Sequence, residues 1–253
     1  MPQKLGQHFL KNKVKLLKIA KAIEPLAGDF IIEIGPGHGE LTDAIINQNP
    51  NAKIKAIEKD YKLIPLLEEK YKDNKNIAII PGDVVKDLPK IIDKNYKIIG
   101  NIPYYITGKI LRTIGELDPS PSITVLLIQK EVAERIVPAK DKYNLLAASI
   151  DYFGQAKIIF NIRSKMFSPP PKVDSAVIKI ISHHKEIDKN IYFTFVKSVF
   201  KQPRKLLINN LSDGLKIDKQ IISSALEFLN LDPKIRPQNI NYEIILSLIK
   251  KIM

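Results

Sequence analysis

The chain has 253 residues, enough for one large domain with a smaller companion and too many for a disulfide-held miniprotein. Apolar residues make up 45% and charged residues 26%, which excludes a mainly disordered polymer. Forty Lys and Arg against 27 Asp and Glu leave a net charge of +13, a field that concentrates phosphates and points to a polyanionic partner.

In chain order, the first predicted helix is Val14–Ile23, with Leu16, Ile19, Ala20 and Ile23 on one face and Lys11, Lys15 and Lys18 on another. Residues 1–23 hold six lysines and no acid. From Phe30 to Ile181 short β-rich runs alternate with helical patterns, the signature of a parallel sheet with crossover helices. The predicted strands are Phe30–Ile34, Lys53–Ile57, Ile77–Ile80, Tyr96–Gly100, Ile123–Gln129, Lys157–Ile162 and Ala176–Ile181. Several are almost wholly aliphatic, as in strands covered on both faces. The predicted helices between them are Glu40–Asn47, Tyr61–Tyr71, Thr107–Glu116, Glu131–Val137 and Asn144–Tyr152.

After Ser182 the pattern changes. Residues 183–189 read as a polar linker, and the remainder shows helical periodicity without a convincing strand: Ile191, Phe195, Val196, Val199 and Phe200, then Ile221, Ile222, Ala225, Leu226 and Leu229. Two domains are expected, 1–182 and a small all-helical 183–253. Residues 189–212 carry five basic residues and no acid, a second candidate surface for phosphates. The absence of cysteine excludes disulfides and thiolate chemistry and suits a reducing cytoplasm. No apolar run approaches the ~20 residues that span a bilayer, and the four histidines show no metal-ligand spacing, so neither a membrane nor a metal is expected.

The first predicted strand runs into Gly35-Pro36-Gly37-His38-Gly39 and then a helix, an arrangement that lets backbone approach a ligand at a helix N-terminus. The GxGxG spacing is neither the GxGxxG of dinucleotide folds nor a Walker A loop, which argues against NAD and ATP. Glu58 ends the second strand 23 residues after Gly35, where a carboxylate can accept from both ribose hydroxyls. Gly82-Asp83 follows the third strand, where a carboxylate can accept from an adenine amine. Adenine and ribose without a pyrophosphate loop point to S-adenosyl-L-methionine, and hence to methyl transfer.

The fourth strand ends in Gly100-Asn101-Ile102-Pro103-Tyr104, an N-x-P-aromatic motif suited to methylating an amine conjugated to a ring. Such an amine is a poor nucleophile, because its lone pair is delocalised. Two acceptors beside its hydrogens, the Asn101 side-chain carbonyl and the backbone carbonyl of Ile102, would rehybridise it. Pro103 would fix the loop, and Tyr104 would offer a face for an extruded base. Positive charge builds on the nitrogen during attack, so acceptors aimed there favour the transition state without a strong base.

Together with Gly6-Gln-His-Phe-Leu10, Glu33-Ile-Gly-Pro-Gly37, Gln129-Lys-Glu-Val-Ala133 and Phe167-Ser-Pro-Pro-Pro-Lys-Val-Asp-Ser175, this motif resembles the KsgA-type small-subunit ribosomal RNA adenine dimethyltransferases over nearly the whole length. The resemblance implies a Rossmann-like class I S-adenosylmethionine-dependent α/β methyltransferase domain, with residues 1–13 as a flexible lid, followed by a helical RNA-binding domain. It implies cofactor contacts from His8, Leu10, Gly35, Gly37, Gly39, Glu58, Asp83 and Asn101, with Phe167 enclosing the target adenine opposite Tyr104. It further implies N6,N6-dimethylation of two adjacent adenosines near the 3′ end of 16S rRNA, on a precursor of the small ribosomal subunit, by a cytoplasmic enzyme taken as a monomer.

Departures from the family pattern fall in Lys201-Gln-Pro-Arg-Lys205, where Pro203 replaces an expected arginine, in Arg236-Pro-Gln238 and at Asn144. They bear on RNA contacts and not on the chemistry. Two alternatives are a large-subunit methyltransferase of the erythromycin-resistance type and a non-catalytic RNA-binding assembly factor.

Overall fold

A computed structural model describes residues 8–253. Lys4 of the first basic block, Gly6 and Gln7 of the N-terminal motif, and the first half of the expected lid lie outside the described residues. The chain divides into two compact units. One comprises the described chain up to Ala133 together with Ala156–Ser182; the other comprises Glu134–Gln155 with His183–Met253. One break between the units falls after Ser182, and the segment 134–155 groups with the tail.

The first unit is built on a seven-stranded sheet. Its strands are β2 (Phe30–Ile34), β3 (Lys53–Glu58), β4 (Ile77–Pro81), β5 (Tyr96–Asn101), β6 (Ile123–Gln129), β7 (Gly154–Ile162) and β9 (Ser175–Ser182), in the order β4-β3-β2-β5-β6-β9-β7. A separate two-stranded ribbon joins β1 (Phe9–Leu10) to β8 (Phe167–Ser168), with Leu10 opposite Phe167. The strands from β4 to β6 are parallel. The sheet is mixed at its far edge, where β9 runs antiparallel to β6. The link 163–174 into β9 carries no α-helix, and a parallel return needs a long crossover.

Helices α1 (Lys13–Ala22), α2 (Glu40–Gln48), α3 (Ile64–Tyr71), α4 (Val84–Ile91) and α5 (Thr107–Glu116) connect these strands. Asn12 caps α1, its side chain accepting from Lys15 N at 3.0 Å, a contact of the kind worth ~1 kcal/mol. Leu16 and Ile19 of this first helix and Ile23 at its C-cap are buried with Leu41 and Ile45 of α2 over Ile31, Ile54 and Ile99 of the sheet. Each such aliphatic side chain contributes ~1.5–3 kcal/mol on burial. The third helix begins at Ile64 and not at Tyr61, because Pro65 sits in its first turn, where a missing N–H costs nothing. The unexpected α4 holds a β-branched pair and Pro89, residues that argue against a helix in sequence.

The second unit contains α6 (Lys130–Ile136) in part, α7 (Leu145–Asp151), α8 (Lys189–Val199), α9 (Leu207–Leu215), α10 (Lys219–Phe228) and α11 (Tyr242–Ile252). Asn144, Asp188, Asp218 and Asn241 cap α7, α8, α10 and α11. The expected apolar stripes are buried at Phe195, Val196, Val199, Ile222, Ala225 and Leu226, while Ile191 and Ile221 stay exposed. No described helix is long and apolar enough to cross a membrane.

Candidate active site

The strand order reverses between β2 and β5, and in open α/β sheets ligands bind beyond the carboxyl ends of the strands at such a switch point. A cleft opens there. Its walls include His8, Phe9, Leu10, Gly35, Gly37, Glu58, Lys59, Asp83, Asn101, Ile102, Pro103, Tyr104 and Tyr105. Most residues singled out from sequence therefore converge on one cavity, which is largely apolar with a few polar groups, as nucleoside sites are.

The glycine loop is shaped by backbone needs. Gly35 and Gly37 have φ of +67° and +63°, in the left-handed region open to glycine, and a Cβ on Gly37 would fall 2.8 Å from the Phe9 ring. Glu58 holds this loop from beneath. Its Oε2 accepts from Gly37 N at 3.0 Å and its Oε1 from Asp60 N at 2.8 Å, and the residue is only 3% exposed. Burial pushes the Glu58 carboxyl above its ordinary range, partly offset by these backbone donors.

Asp83 is the N-cap of α4. Its Oδ1 accepts from Val85 N at 3.0 Å, and its Oδ2 takes a hydrogen bond from Lys59 Nζ at 2.8 Å. The Lys59 ammonium holds the Asp83 carboxyl below the usual range.

The last turn of β5 supplies the reacting end of the cleft. A Cβ on Gly100 would lie 2.7 Å from the carbonyl oxygen of Ile34, so only glycine lets this strand pass so close to β2. Asn101 follows, and its Nδ2 donates to the backbone carbonyl of His8 at 3.0 Å. That bond fixes the amide plane and leaves Oδ1 without a hydrogen bond among the described residues. Ile102 is 1% exposed, and Tyr104 is held by a 2.6 Å hydrogen bond between its hydroxyl and Ser175 Oγ. Burial raises the Tyr104 phenol above its ordinary range, so it stays neutral. The His8 ring stacks beside Tyr104 at 5.8 Å between centroids, and His8 Nδ1 donates to the Pro169 carbonyl at 2.8 Å.

Two residues named from sequence lie elsewhere. Gly39 caps α2 and faces α3: its carbonyl accepts from the Tyr71 hydroxyl at 3.0 Å, and a Cβ there would meet that hydroxyl at 2.3 Å. Phe167 is 5% exposed in the core with Leu10, Leu16 and Ile162 and is not among the residues that line the cleft. Sequence reasoning missed Phe9, Lys59, Tyr105 and Ser175 as parts of the site or its support. Phe9 and Ser175 lie within quoted motifs and Lys59 and Tyr105 directly follow recognised residues, but only the fold shows which way each faces.

Glu33, just before the loop, is wholly buried. Its Oε2 accepts from Thr42 Oγ1 at 2.6 Å, Oε1 has no partner among the described residues, and burial pushes its pKa up to about 8.

The parallel sheet, the reversal between β2 and β5, and the glycine-loop cleft together define a class I methyltransferase. Residues 2–252 match the family model described as ribosomal RNA adenine dimethylase. The chain belongs to that family. It is 37% identical over 246 residues to a ribosomal RNA small subunit methyltransferase A of Dehalococcoides mccartyi, covering 94% of this chain and 84% of the relative. A protein of the same name from Mycoplasma mobile is 37% identical over 244 residues, covering 95% and 93%. A crystal structure of a dimethyladenosine transferase from Plasmodium falciparum superposes with a TM-score of 0.82 at 25% identity, covering 95% and 96%. The 23S rRNA methyltransferase ErmE shares the fold, with a TM-score of 0.81 at 21% identity, covering 96% and 99%.

Proposed function

We propose that this chain uses S-adenosyl-L-methionine to dimethylate N6 of two adjacent adenosines near the 3′ end of small-subunit rRNA on a precursor of the small ribosomal subunit. The observation that carries this reading is the Asn101 amide, whose nitrogen is committed to His8 O and whose carbonyl is left to accept within the cleft. The names of the relatives support the choice of small-subunit rRNA. Such a substrate places the chain in the cytoplasm.

The cleft suits this cofactor by its donors and acceptors. Glu58 oxygens each accept one backbone N–H and retain a second lone pair for ribose hydroxyls, while Asp83 offers its carboxylate to the adenine amine. Gly35 and Gly37 let backbone approach, and His8, Leu10, Ile57 and Ile102 supply wall surface. When bound, the cofactor supplies an electrophilic sulfonium methyl.

The protein's own part is positioning. Asn101 Oδ1 and the Ile102 carbonyl accept the two amine hydrogens of the target adenine, turning its lone pair toward the methyl carbon. The bond to His8 O keeps the Asn101 amide from rotating its NH₂ toward that amine. Pro103 sets the turn, and the Tyr104 ring, locked by Ser175, presents its face to the base. The cleft must also admit the monomethylated amine, whose remaining hydrogen keeps one acceptor occupied. The helical unit, with Lys197, Lys201, Arg204 and Lys205 exposed, is assigned to rRNA phosphates.

Incubating purified protein with immature small subunits and labelled cofactor tests this reading. Adjacent dimethyladenosines in small-subunit rRNA are the expected product. Label on naked large-subunit rRNA alone would replace it with the resistance-type activity, and binding without label would leave an assembly factor.

A further inference from the structure

The residue after Glu58 has no part in the chemistry above, yet it lines the same cleft. Lys59 Nζ lies 2.8 Å from Asp83 Oδ2, and the two side chains are 53% and 30% exposed. The other carboxylate oxygen already caps α4 through Val85 N. The oxygen that takes no backbone donor is therefore the one the ammonium contacts.

We infer that Lys59 is a specificity-determining residue of the nucleoside site, its ammonium competing with the incoming purine for Asp83 and leaving to solvent when an amine donor takes its place. This rests on the assignment of Asp83 to the adenine amine. The direction follows from charge and donor count. Asp83 stays anionic, because the ammonium beside it holds its carboxyl low. An amine entering from the cleft meets the ammonium on Asp83 Oδ2 and competes with it for the carboxylate charge. The exchange is inexpensive, because a half-exposed ion pair is worth little and its lysine regains water on release.

A purine carrying a 6-oxo group presents an acceptor where adenine presents a donor. Against bare Asp83 that acceptor is repelled, whereas Lys59 can donate to it. The lysine thus weakens the adenine nucleoside slightly and tolerates the oxo analogue, so it narrows the discrimination that Asp83 alone would give.

Calorimetric titration of RNA-free protein with S-adenosylhomocysteine and S-inosylhomocysteine tests this. Lys59→Met, which keeps the stem and removes the charge, is expected to bind S-adenosylhomocysteine about two- to five-fold more tightly at low salt. Added salt should tighten wild-type binding toward the variant's value and leave the variant unchanged. The adenine-to-hypoxanthine affinity ratio should widen by more than the gain for S-adenosylhomocysteine alone. Asp83→Asn retains the helix cap but presents an NH₂ to the ligand, and is expected to weaken S-adenosylhomocysteine binding at least ten-fold, on the order of a lost hydrogen bond to a charged group. Equal or weaker binding by Lys59→Met, with an unchanged ratio and a weakened Asp83→Asn, overturns the exchange and leaves the Asp83 assignment standing. Unimpaired binding by Asp83→Asn overturns both.

Discussion

Asn101 Nδ2 donates to the backbone carbonyl of His8 across 93 residues of sequence, at 3.0 Å. The bond ties the end of β5 to the N-terminal segment and decides which face of the amide looks into the cleft. A primary amide has two donors and one carbonyl, so committing the nitrogen is the simplest way to guarantee an acceptor toward a substrate amine. His8 thereby acts on Asn101 through its main chain, while its ring lies beside Tyr104.

The hydrogen bond between Tyr104 and Ser175 gives a paired prediction. Ser175 is fully buried, so Ser175→Ala leaves the tyrosine hydroxyl without its partner and is expected to cost ~1–3 kcal/mol in urea unfolding, with slower methyl transfer. Adding Tyr104→Phe should recover most of the stability, because both polar groups are then gone. A double variant no more stable than the single one would show that the bond does not hold the ring.

Glu33 makes stability depend on pH. Its folded-state pKa of about 8 lies above the ordinary carboxylate value, so the folded protein keeps a proton that the unfolded chain releases. Stability from this group is full below about pH 4.5, falls as pH rises toward about 8, and is level above that. Glu33→Gln keeps an acceptor for Thr42 and removes the ionisation. It is expected to exceed wild type by a few kcal/mol at pH 8 and by nothing at pH 4.5, read from unfolding midpoints at the two values.

Gly37→Ala places a methyl against the Phe9 ring at a φ of +63°. The strain, on the order of 1–3 kcal/mol, falls on the contact between the glycine loop and β1. Weaker binding of S-adenosylhomocysteine, with a smaller loss of thermal stability than Gly100→Ala causes, is the expected pattern. At Gly100 the nearest neighbour is rigid backbone, the Ile34 carbonyl oxygen at 2.7 Å.

Lys201, Arg204 and Lys205 are exposed between α8 and α9. Each contact with an rRNA phosphate should add about one to the slope of log affinity against log salt, so replacing all three by alanine should flatten that slope by about three. An unchanged slope, measured by filter binding, would remove these residues from the RNA surface.

Much of the fold was legible because aliphatic strands carry a strong signal: the strand Ile123–Gln129 and the helix Thr107–Glu116 match their predicted bounds. The ribbon of β1 and β8 was not legible, since two-residue strands leave no periodicity. Asn101 and Glu58 could be named because strand ends bound their positions. Phe167 is buried beside Leu10 and Leu16, and an aromatic before prolines reads alike in sequence whether it faces a cleft or the core. Asp83 was visible as a ligand acceptor. The structure shows the cap together with a lysine that sequence spacing could not pair with it.

The central claim is that Asn101 supplies the acceptor that turns the target amine toward the methyl donor. Its most direct measurement is single-turnover transfer from labelled S-adenosyl-L-methionine to immature small subunits by wild type and Asn101→Ala, alongside rRNA affinity. Removing a preorganised group of this kind is expected to slow transfer about 10²–10³-fold while rRNA affinity stays within about two-fold. Transfer by Asn101→Ala at the wild-type rate, with the same dimethyladenosine product, would contradict it.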